Sequence, residues 1–564
     1  MFLQVYKMGS DSDNEEKGSC EVCKSVAVRK CSACKLVFYC SEAHQQEHWK
    51  EHKIKCRPFE EQHSKELGRY LNATRELQPG DVIFSELPLV FGPKPHRIQE
   101  GPFPCVGCCR LLHDQMCEMC PGCLWPVCKT SCEGLKIPSQ HGFECNVLRL
   151  KPASDAKAFL DFYRFDILII LRALYLQKAN PKKFETLLKL ESHFDKRGPG
   201  TEVYKAVQEK IEVLEENYLK PLKSYEEETG QVILPQVSAE LIHKIYGILD
   251  VNATELIEDI DAMILYPTAS LLEHNCVPNT TQIIDEKDNF KITFRAAMTI
   301  SKEEHITAMY TNILWGTAAR RDHLLETKYF KCQCKRCQDP SELGTNMSAL
   351  KCIAGSDQDP CGGLQLPITP TYQNGAWMCN KCKIKLPEMD VMKFVHHLGT
   401  EVDKIMTKSP KYHELQDLIS KLQHFLHPHH YLLYNIRHTF VQLFPDRDIV
   451  DENSPEIWLE KLNMCDDLID LTKKIDPGNA RLSLYLGVLL NEKFIAQFKL
   501  LLTTWNKPNQ NLYTNQIKGD ILNTLEENKR ILIYEQKTNA GHKLIEVVNG
   551  NEALFENWKR ENGQ

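Results

Sequence analysis

The sequence predicts a multidomain protein of the α+β class, in which small metal-stabilised modules accompany a mixed core and a helical bundle ends the chain. Three observations predict it. The 24 cysteines fall into separate clusters, the middle of the chain contains both strand-like and helix-like runs, and residues 390–564 carry apolar residues at helical spacing. A chain of 564 residues has room for roughly three or four domains.

Composition argues against several classes of protein. A net charge of −7 gives no overall attraction to nucleic acid or to an anionic membrane, and no apolar run reaches the roughly 18–20 residues of a membrane span. Residues 1–19 turn acidic without the apolar core of a signal peptide, so we expect a disordered N-terminus and a location in the cytoplasm, the nucleus or both. Thiols stay reduced there, so disulfides do not explain the cysteines.

The first cysteine cluster, residues 20–56, has the spacing of a double zinc module. Eight thiolates and imidazoles suffice for two tetrahedral zinc ions. So short a segment cannot fold on an apolar core alone, and zinc binding contributes on the order of 10 kcal/mol per site. We expect the spare His48 on the surface or behind the ligands. The predicted ligands are Cys20, Cys23, Cys31, Cys34, Cys40, His44, His52 and Cys56.

The second cluster, residues 105–145, repeats this order of pairs and again ends in His-x3-Cys. The repetition predicts a second array with two zinc ions. Three further residues, Cys109, His113 and Cys117, are left over, which keeps the exact ligand set open. The predicted ligands are Cys105, Cys108, Cys120, Cys123, Cys128, Cys132, His141 and Cys145.

A lone cysteine in the middle of the chain indicates a fifth zinc site. Cys276 lies in the polar stretch "SLLEHNCVPNT", whereas "KYFKCQCKRC" supplies three thiolates, one short of a closed site. We therefore expect the loop of Cys276 to pack against residues 332–337 and to share a zinc ion with Cys332, Cys334 and Cys337.

Another group of cysteines leaves a sixth site open. Cys379 and Cys382 form a Cys-x2-Cys pair, but the step from Cys352 to Cys361 is loose for a zinc knuckle. The pattern favours a further zinc ion over partly free thiols. Cys465 stands apart in the helical tail and is expected in its core.

The remaining segments carry ordinary folding signals. Residues 62–95 contain the turn "QPGD" and the strand-like "DVIFSELPLVF", and residues 154–236 predict helices, one of them apolar nearly all round. Residues 240–312 include the alternating strand "NFKITFRAAMTI", and residues 328–385 hold the last two cysteine groups. In the helical C-terminal region, 390–564, "HPHH" is more typical of a helix start than of a metal site.

These motifs resemble a known family. The first cluster is similar to the MYND zinc finger, with "YC" before its third pair, "HW" before its last histidine, and His44 where that finger usually has cysteine. "YPTASLLEHNCVPNT" and "LWGTAARRDHLLETKYFKCQCKRCQDPSELGT" resemble the SET domain with its post-SET cysteines. Together they resemble the SMYD family of protein lysine methyltransferases, most of all the arthropod SmydA-type branch, over residues from about 20 to 385.

The resemblance implies a fold. We expect a SET β-fold split by the second zinc array and a helical insert, with the N-terminal finger as an added copy. A TPR-like bundle is expected at the C-terminus.

The resemblance also implies a function, the transfer of a methyl group from S-adenosylmethionine to a lysine amine. Tyr310 matches the tyrosine that orients the amine. Tyr329 is a second candidate, one residue from the usual position, which Lys328 occupies. The expected partners are a substrate protein and proteins that bind the finger or the C-terminal helices, without nucleic acid or membrane. The residues that match cofactor-binding positions are Gly68, Asn252, Ser270, Leu271, Glu273, His274 (mainly through its backbone) and Phe330.

Two departures from the family pattern leave an alternative open. The usual Gly-x-Gly-Leu reads "GRYL", so Tyr70 replaces a glycine that lets the backbone approach the cofactor. Glu273 replaces an asparagine, and an ionised carboxylate accepts hydrogen bonds but donates none. The alternative is a catalytically weak or inert SET scaffold that acts through MYND protein–protein interactions, for example in transcriptional regulation.

Overall fold

The computed structural model describes residues 17–31, 37–94, 102–112, 117–150, 164–257, 260–355, 359–372, 375–444, 454–505 and 511–563. These residues form two compact units, which are described separately. The first unit comprises the described parts of Met1–Ser85, Glu273–Arg321 and Cys332–Gln564, and the second comprises those of Glu86–Leu272 and Asp322–Lys331.

Short strands form the β-part of the first unit. A three-stranded antiparallel sheet buries Ile292 and Phe294, as the alternation in "NFKITF" predicts. A two-stranded antiparallel pair precedes it, and a short parallel pair joins the loop before Cys276 to the segment before Tyr310. In chain order these strands are Phe59–Ser64, Gly68–Ala73, Val82–Glu86, Glu273–His274, Thr280–Asp285, Lys291–Ala296 and Thr307–Ala308.

Two small cysteine-rich modules belong to the same unit. In the N-terminal module two hairpins precede a helix whose N-cap, Ser41, accepts a hydrogen bond from the backbone N–H of His44. The other module is a four-stranded antiparallel sheet, the zinc ribbon, at residues 350–387. Their elements are Gly18–Ser19, Val26–Ala27, Arg29–Lys30, Phe38–Tyr39 and helix Glu42–Lys55, and then Leu350–Lys351, Leu364–Pro367, Ala376–Cys379 and Lys385–Pro387.

Helices make up the C-terminal region. They pack around two apolar clusters, one around Leu415 and Leu433 and one around Phe494 and Phe555. At the turn "DPGN", residues 476–479, the carboxylate of Asp476 accepts hydrogen bonds from three backbone N–H groups and so ends one helix and starts the next. The helices are Glu388–Met406, Tyr412–Leu422, Tyr431–Leu443, Pro455–Ile475, Ser483–Thr504, Asn511–Ile531, the 3-10 turn Leu532–Lys537, and Asn539–Glu561.

The second unit contains the second cysteine array, a helical insert and a three-stranded antiparallel sheet of Thr254–Ile257, Asp261–Leu265 and Val90–Pro93. The helix Leu168–Ala179 is buried on nearly every side, as its composition predicts. Its Arg172 donates to Glu144 over 2.7 Å and to the carbonyl oxygen of Phe91 over 2.9 Å. The other elements are Phe103–Pro104, Leu111–Leu112, Glu118–Met119, Pro126–Val127, Glu133–Leu135, Phe143–Leu148, Pro181–Leu188, Phe194–Arg197, Glu202–Leu214, Lys220–Thr229, Ala239–Asn252 and Ala269–Leu271.

The predicted fold class is confirmed, because small cysteine modules, a mixed β-core and a C-terminal helical region are all present. The second unit is inserted in the sequence between strands of the first, as a split core requires. Two further helices are Thr317–Lys328 and Lys335–Gln338. None of the helices in the described part of the chain has the length and apolar character needed to span a membrane.

Candidate functional site

The N-terminal cluster forms its first zinc site from the first and third ligand pairs. The ligand atoms of Cys20, Cys23, Cys40 and His44 all lie within 4.8 Å of one another. His44 therefore stands where the related finger usually has cysteine, one helical turn after Cys40. For the second site, Cys31 and Cys56 bring their sulfur atoms to 3.7 Å. Its predicted partner His52 is buried, and Cys34 lies outside the described residues.

The second array uses the same interleaved order, which confirms the internal repeat. One site joins its first and third pairs and the other joins its second and fourth pairs, each with ligand atoms within 4.8 Å. Interleaving ties distant parts of a short chain together, so each zinc ion closes a loop that contains the other site's ligands. The two sets are Cys105, Cys108, Cys128 and Cys132, and Cys120, Cys123, His141 and Cys145.

A recurring backbone turn explains the leftover Cys109. It follows the pair Cys105–Cys108, has φ of +61°, and donates its N–H to the carbonyl oxygen of Cys105 over 2.8 Å. Cys109 is thus the turn residue of a knuckle, and burial raises the pKa of its thiol to about 12. Three other Cys-x2-Cys pairs make the same turn with positive φ, at Lys24, Leu124 and Lys383.

Cys276 completes a four-cysteine site, as its isolation in the sequence predicts. Its sulfur lies 3.5 Å from that of Cys337 and 4.0 Å from that of Cys332, and Cys334 joins the same cluster. The site ties the loop of Cys276 to the segment 332–337 within the first unit.

Buried charges surround this four-thiolate site. Arg320, fully buried, donates from Nε to the sulfur of Cys276 over 3.2 Å and from a guanidinium nitrogen to Glu342 over 2.9 Å. Arg336 also pairs with Glu342. Burial alone would raise the pKa of Glu342, but the two arginines outweigh it and hold that pKa below its ordinary value. The two guanidinium groups offset the negative charge that four thiolates bring to zinc.

The zinc ribbon closes a further site from Cys352, Cys361, Cys379 and Cys382. The sulfur atoms of Cys352 and Cys382 lie 3.6 Å apart, and those of Cys361 and Cys379 lie 3.7 Å apart. The loose step in the sequence is bridged by pairing of Gly355 with Pro360, and the four cysteines predicted for the additional zinc site come together. Cys465 is buried in the helical region, as expected.

Tyr310 is tied to the Cys276 site through the side chain of His274. Its backbone N–H donates to Nδ1 of His274 over 3.0 Å, and Nε2 of His274 lies 3.3 Å from the sulfur of Cys276. Since Nδ1 accepts, Nε2 carries the proton and donates to the thiolate. The sequence suggested a role for His274 mainly through its backbone, and the structure adds this side-chain bridge. Burial, with a smaller contribution from Glu273, raises the pKa of the Tyr310 hydroxyl.

The two departures from the family pattern meet at one residue that sequence reasoning missed, His305. Its Nδ1 pairs with the carboxylate of Glu273, and its ring stacks on Tyr70 with centroids 4.6 Å apart. The strand that begins at Gly68 is bridged to this segment through Asn72 and His305. Gly68 has φ of +70°, and no atom of the described residues beyond its chain neighbours lies within 4 Å of the position a Cβ would take.

A second missed residue, Asn279, holds the strand that leads to Tyr310. Its Oδ1 accepts from the backbone N–H of Thr307 and its Nδ2 donates to the carbonyl oxygen of His305, each over 2.8 Å. The stretch "HNCVPNT" already had this asparagine three residues after Cys276, but nothing in the sequence indicated its partners.

The other predicted site residues lie in the second unit. Ser270 and Leu271 form the turn Ala269–Leu271, where Glu86 accepts the N–H groups of Thr268 and Ala269. The amide nitrogen of Asn252 donates to the carbonyl oxygens of Glu191 and Ile248, both over 2.7 Å.

Tyr329, in the same unit, has φ of +62° and a hydroxyl 3.4 Å from a guanidinium nitrogen of Arg197. The neighbouring Lys328 donates to the carbonyl oxygen of Val251 over 2.6 Å and so caps the helix that ends at Asn252. Burial lowers the pKa of Lys328. Phe330 is partly exposed.

Comparison with known proteins agrees with this arrangement. Residues 20–56 match the MYND finger model and residues 68–311 match the SET domain model. SET domain-containing protein SmydA-8, isoform B, of Drosophila melanogaster is 28% identical over 336 residues, which are 58% of this chain and 67% of the relative. The chain thus carries a MYND finger and a SET domain and is similar to proteins of the SMYD type.

Other proteins similar to this chain carry names that state an activity. Histone-lysine N-methyltransferase ASHR1 of Arabidopsis thaliana is 25% identical over 431 residues, 73% of this chain and 81% of the relative. N-lysine methyltransferase SMYD2 of Rattus norvegicus is 24% identical over 281 residues, 48% of this chain and 58% of the relative. The matches span about two thirds of the length of the Drosophila SmydA-8 isoforms.

Proposed function

We propose that this protein is a member of the SMYD family and an S-adenosylmethionine-dependent protein lysine N-methyltransferase. The observation that carries the proposal is the fixed position of Tyr310, whose backbone is bound to His274 and, through it, to the four-cysteine site. Similar proteins named as histone-lysine and N-lysine methyltransferases support it. The MYND finger and the C-terminal helices would bind other proteins.

The residues of the first unit fit the cofactor. The open space at Gly68, with its positive φ, lets a ligand approach the backbone closely. The carboxylate of Glu273 accepts a hydrogen bond from Nδ1 of His305, which weakens its repulsion of the carboxylate at the cofactor's amino-acid end. Glu273 can still accept a hydrogen bond from the cofactor's ammonium group.

Catalysis then depends on positioning the lysine amine. S-adenosylmethionine supplies the methyl group when bound. Because its pKa is raised, Tyr310 keeps its proton at neutral pH, and its oxygen can accept a hydrogen bond from the amine and fix the direction of the nitrogen lone pair. Contact with this half-buried phenol also excludes water, which favours the neutral amine over the ammonium ion.

One observation favours the alternative of a SET-fold scaffold. The ring of Tyr70, in the strand that begins at Gly68, stacks on His305. The glycine that the family usually has at this position would leave the space of that ring empty. In this reading the zinc modules and the β-core would only present surfaces to partner proteins.

Calorimetric titration of the full chain with S-adenosylmethionine separates the two functions. We expect saturable binding, and transfer of a radiolabelled methyl group to lysine peptides arrayed from histones and other proteins. Tyr310→Phe is the matched variant, since it should bind the cofactor as the wild type does and lose transfer. Absence of binding at millimolar cofactor would overturn the proposal and favour the scaffold.

A further inference from the structure

A pocket of about 60 Å³ lies in the first unit, and neither Tyr310 nor any predicted zinc ligand lines it. It is bounded by the start of the helix Thr317–Lys328, the zinc ribbon, and the first turns of two C-terminal helices. A space of this size holds about four to six water molecules, or one ring with a small substituent. Its apolar lining residues are Pro367, Pro370, Trp377, Met392, Val395 and Tyr431.

His430 gives this pocket a buried hydrogen-bond donor. The side chain is fully buried, and its Nδ1 accepts the backbone N–H of Leu432 over 3.3 Å, at the start of the helix Tyr431–Leu443. Burial lowers the pKa of His430 to about 3, so the ring is neutral and its one proton is on Nε2. Among the described residues Nε2 has no hydrogen-bond partner.

Trp377 supplies a second donor of the same kind. Its side chain is 6% exposed, and its indole Nε1–H likewise finds no acceptor within the described part of the chain. Buried N–H groups are nearly always paired, so two unpaired donors at one small pocket call for an acceptor from outside the fold.

The first turn of the helix Thr317–Lys328 strengthens this preference. The N–H of Thr317 is satisfied by Glu342 over 3.3 Å, whereas Ala318 and Ala319 line the pocket at positions whose N–H groups have no acceptor within the helix. The positive end of the helix dipole points the same way as the two ring donors, toward an electron-rich atom.

Acidic residues at the pocket argue against an anion. Asp339 accepts from the backbone N–H groups of Ser341 and Leu343, and Glu388 accepts from that of Gly375. The carboxylate oxygens of both residues would repel a carboxylate or a phosphate. A neutral carbonyl oxygen satisfies the donors without this cost.

We propose that this pocket binds a neutral aromatic group carrying a carbonyl acceptor, such as a carboxamide. The ring lies against the prolines, Trp377 and Tyr431, and the carbonyl oxygen accepts from His430 and Trp377. The same chemistry occurs in a small aromatic amide and in an aromatic residue within a peptide. The site does not depend on methyl transfer.

Calorimetric titration of the zinc-loaded full chain with four probes tests the proposal. Benzamide should bind roughly tenfold more tightly than toluene, which lacks the acceptor, and than benzoate, which is anionic. N-acetylphenylalanine amide tests the peptide source. If benzamide binds and N-acetylphenylalanine amide does not, the natural ligand is a small molecule. If N-acetylphenylalanine amide binds as tightly as benzamide or more tightly, the natural ligand is a peptide. No saturable binding of either amide, or benzoate binding at least as well, would overturn the proposal.

Two variants locate the binding. His430→Asn keeps an acceptor for the N–H of Leu432 and removes the Nε2 donor, so benzamide affinity should fall about tenfold while toluene binding is unchanged. Trp377→Phe removes the second donor and keeps a ring. His427→Asn is the control, because this nearby histidine lies outside the lining and should leave affinity unchanged. Unchanged benzamide affinity in both pocket variants would refute the assignment.

Discussion

The backbone N–H of Tyr310 donates to Nδ1 of His274 over 3.0 Å, across 36 positions of sequence. On the other side of the imidazole, Nε2 donates to the sulfur of Cys276. The ring therefore joins the segment that carries Tyr310 to a zinc site, and each of its nitrogen atoms has one role. An imidazole that donates to a zinc ligand from one nitrogen also fixes the orientation of the group that is hydrogen-bonded to its other nitrogen.

Replacing His274 by alanine should lower methyl transfer about tenfold or more and reduce stability by about 1–3 kcal/mol, because the N–H of Tyr310 and the thiolate of Cys276 each lose a partner. His274→Gln offers an amide oxygen and an amide N–H and should recover part of both losses. Transfer rate and urea unfolding measure them. If His274 acts only through its backbone, the alanine variant will keep the wild-type rate.

The pair Glu273–His305 sets the charge near the expected amino-acid end of the cofactor. Glu273→Asn should tighten S-adenosylmethionine binding a few-fold, because a negative charge is removed and a donor is added. His305→Ala should weaken it, because the carboxylate loses its partner. When Glu273→Asn is already present, adding His305→Ala should change the affinity for S-adenosylmethionine little. Calorimetry of the wild type, the two single variants and the double variant measures the coupling between the two residues. Additive effects would show that the pair does not act as a unit.

Arg320 is expected to hold the zinc site of Cys276 more firmly than its neighbour Arg321 does. Arg320→Met removes the donor to the thiolate and leaves Glu342 with one arginine, which should cost about 3–5 kcal/mol and speed zinc release to a chelating dye. Arg321→Met loses only two hydrogen bonds to the carbonyl oxygens of Pro370 and Thr371. Equal zinc release from the two variants would contradict this role of Arg320.

The zinc sites show what spacing can and cannot predict. Three thiolates at 332–337 required a fourth ligand, and Cys276 was unpaired, so ligand counting was enough to bring two remote segments together. The interleaving of pairs was not readable, because eight ligands divide into two tetrahedral sets in several ways. His305 was missed for a related reason. Its contacts with Tyr70 and Glu273 join three segments without any shared periodicity, and only the folded backbone places them together.

Neighbouring cysteines in the second array should differ in metal content. The described part of the chain contains six candidate metal clusters, and Cys108 belongs to one of them whereas Cys109 is the turn residue of the knuckle. Cys108→Ser should lower the zinc content by about one ion per chain, and Cys109→Ser should leave it unchanged. Mass spectrometry of the dialysed proteins measures the stoichiometry. Loss of zinc from the Cys109 variant would mean that it is a ligand after all.

His430 should make the protein less stable in mild acid. Burial lowers its pKa from 6.5 to about 3 in the folded state, so the unfolded chain takes up a proton below pH 6.5 that the folded chain refuses. The contribution of the neutral His430 ring to the free energy of unfolding is fully present above pH 6.5. It is lost as the pH falls toward 3, at about 1.4 kcal/mol per pH unit. Between pH 7.5 and 5.5 the wild type should therefore lose about 1.4 kcal/mol more unfolding free energy than His430→Asn does. Urea unfolding at the two pH values measures the difference. Zinc release at the lower pH is common to both proteins and therefore cancels in the comparison. Equal losses would show that His430 takes up a proton in the folded chain by pH 5.5, and at that pH its Nδ1 could not accept the N–H of Leu432.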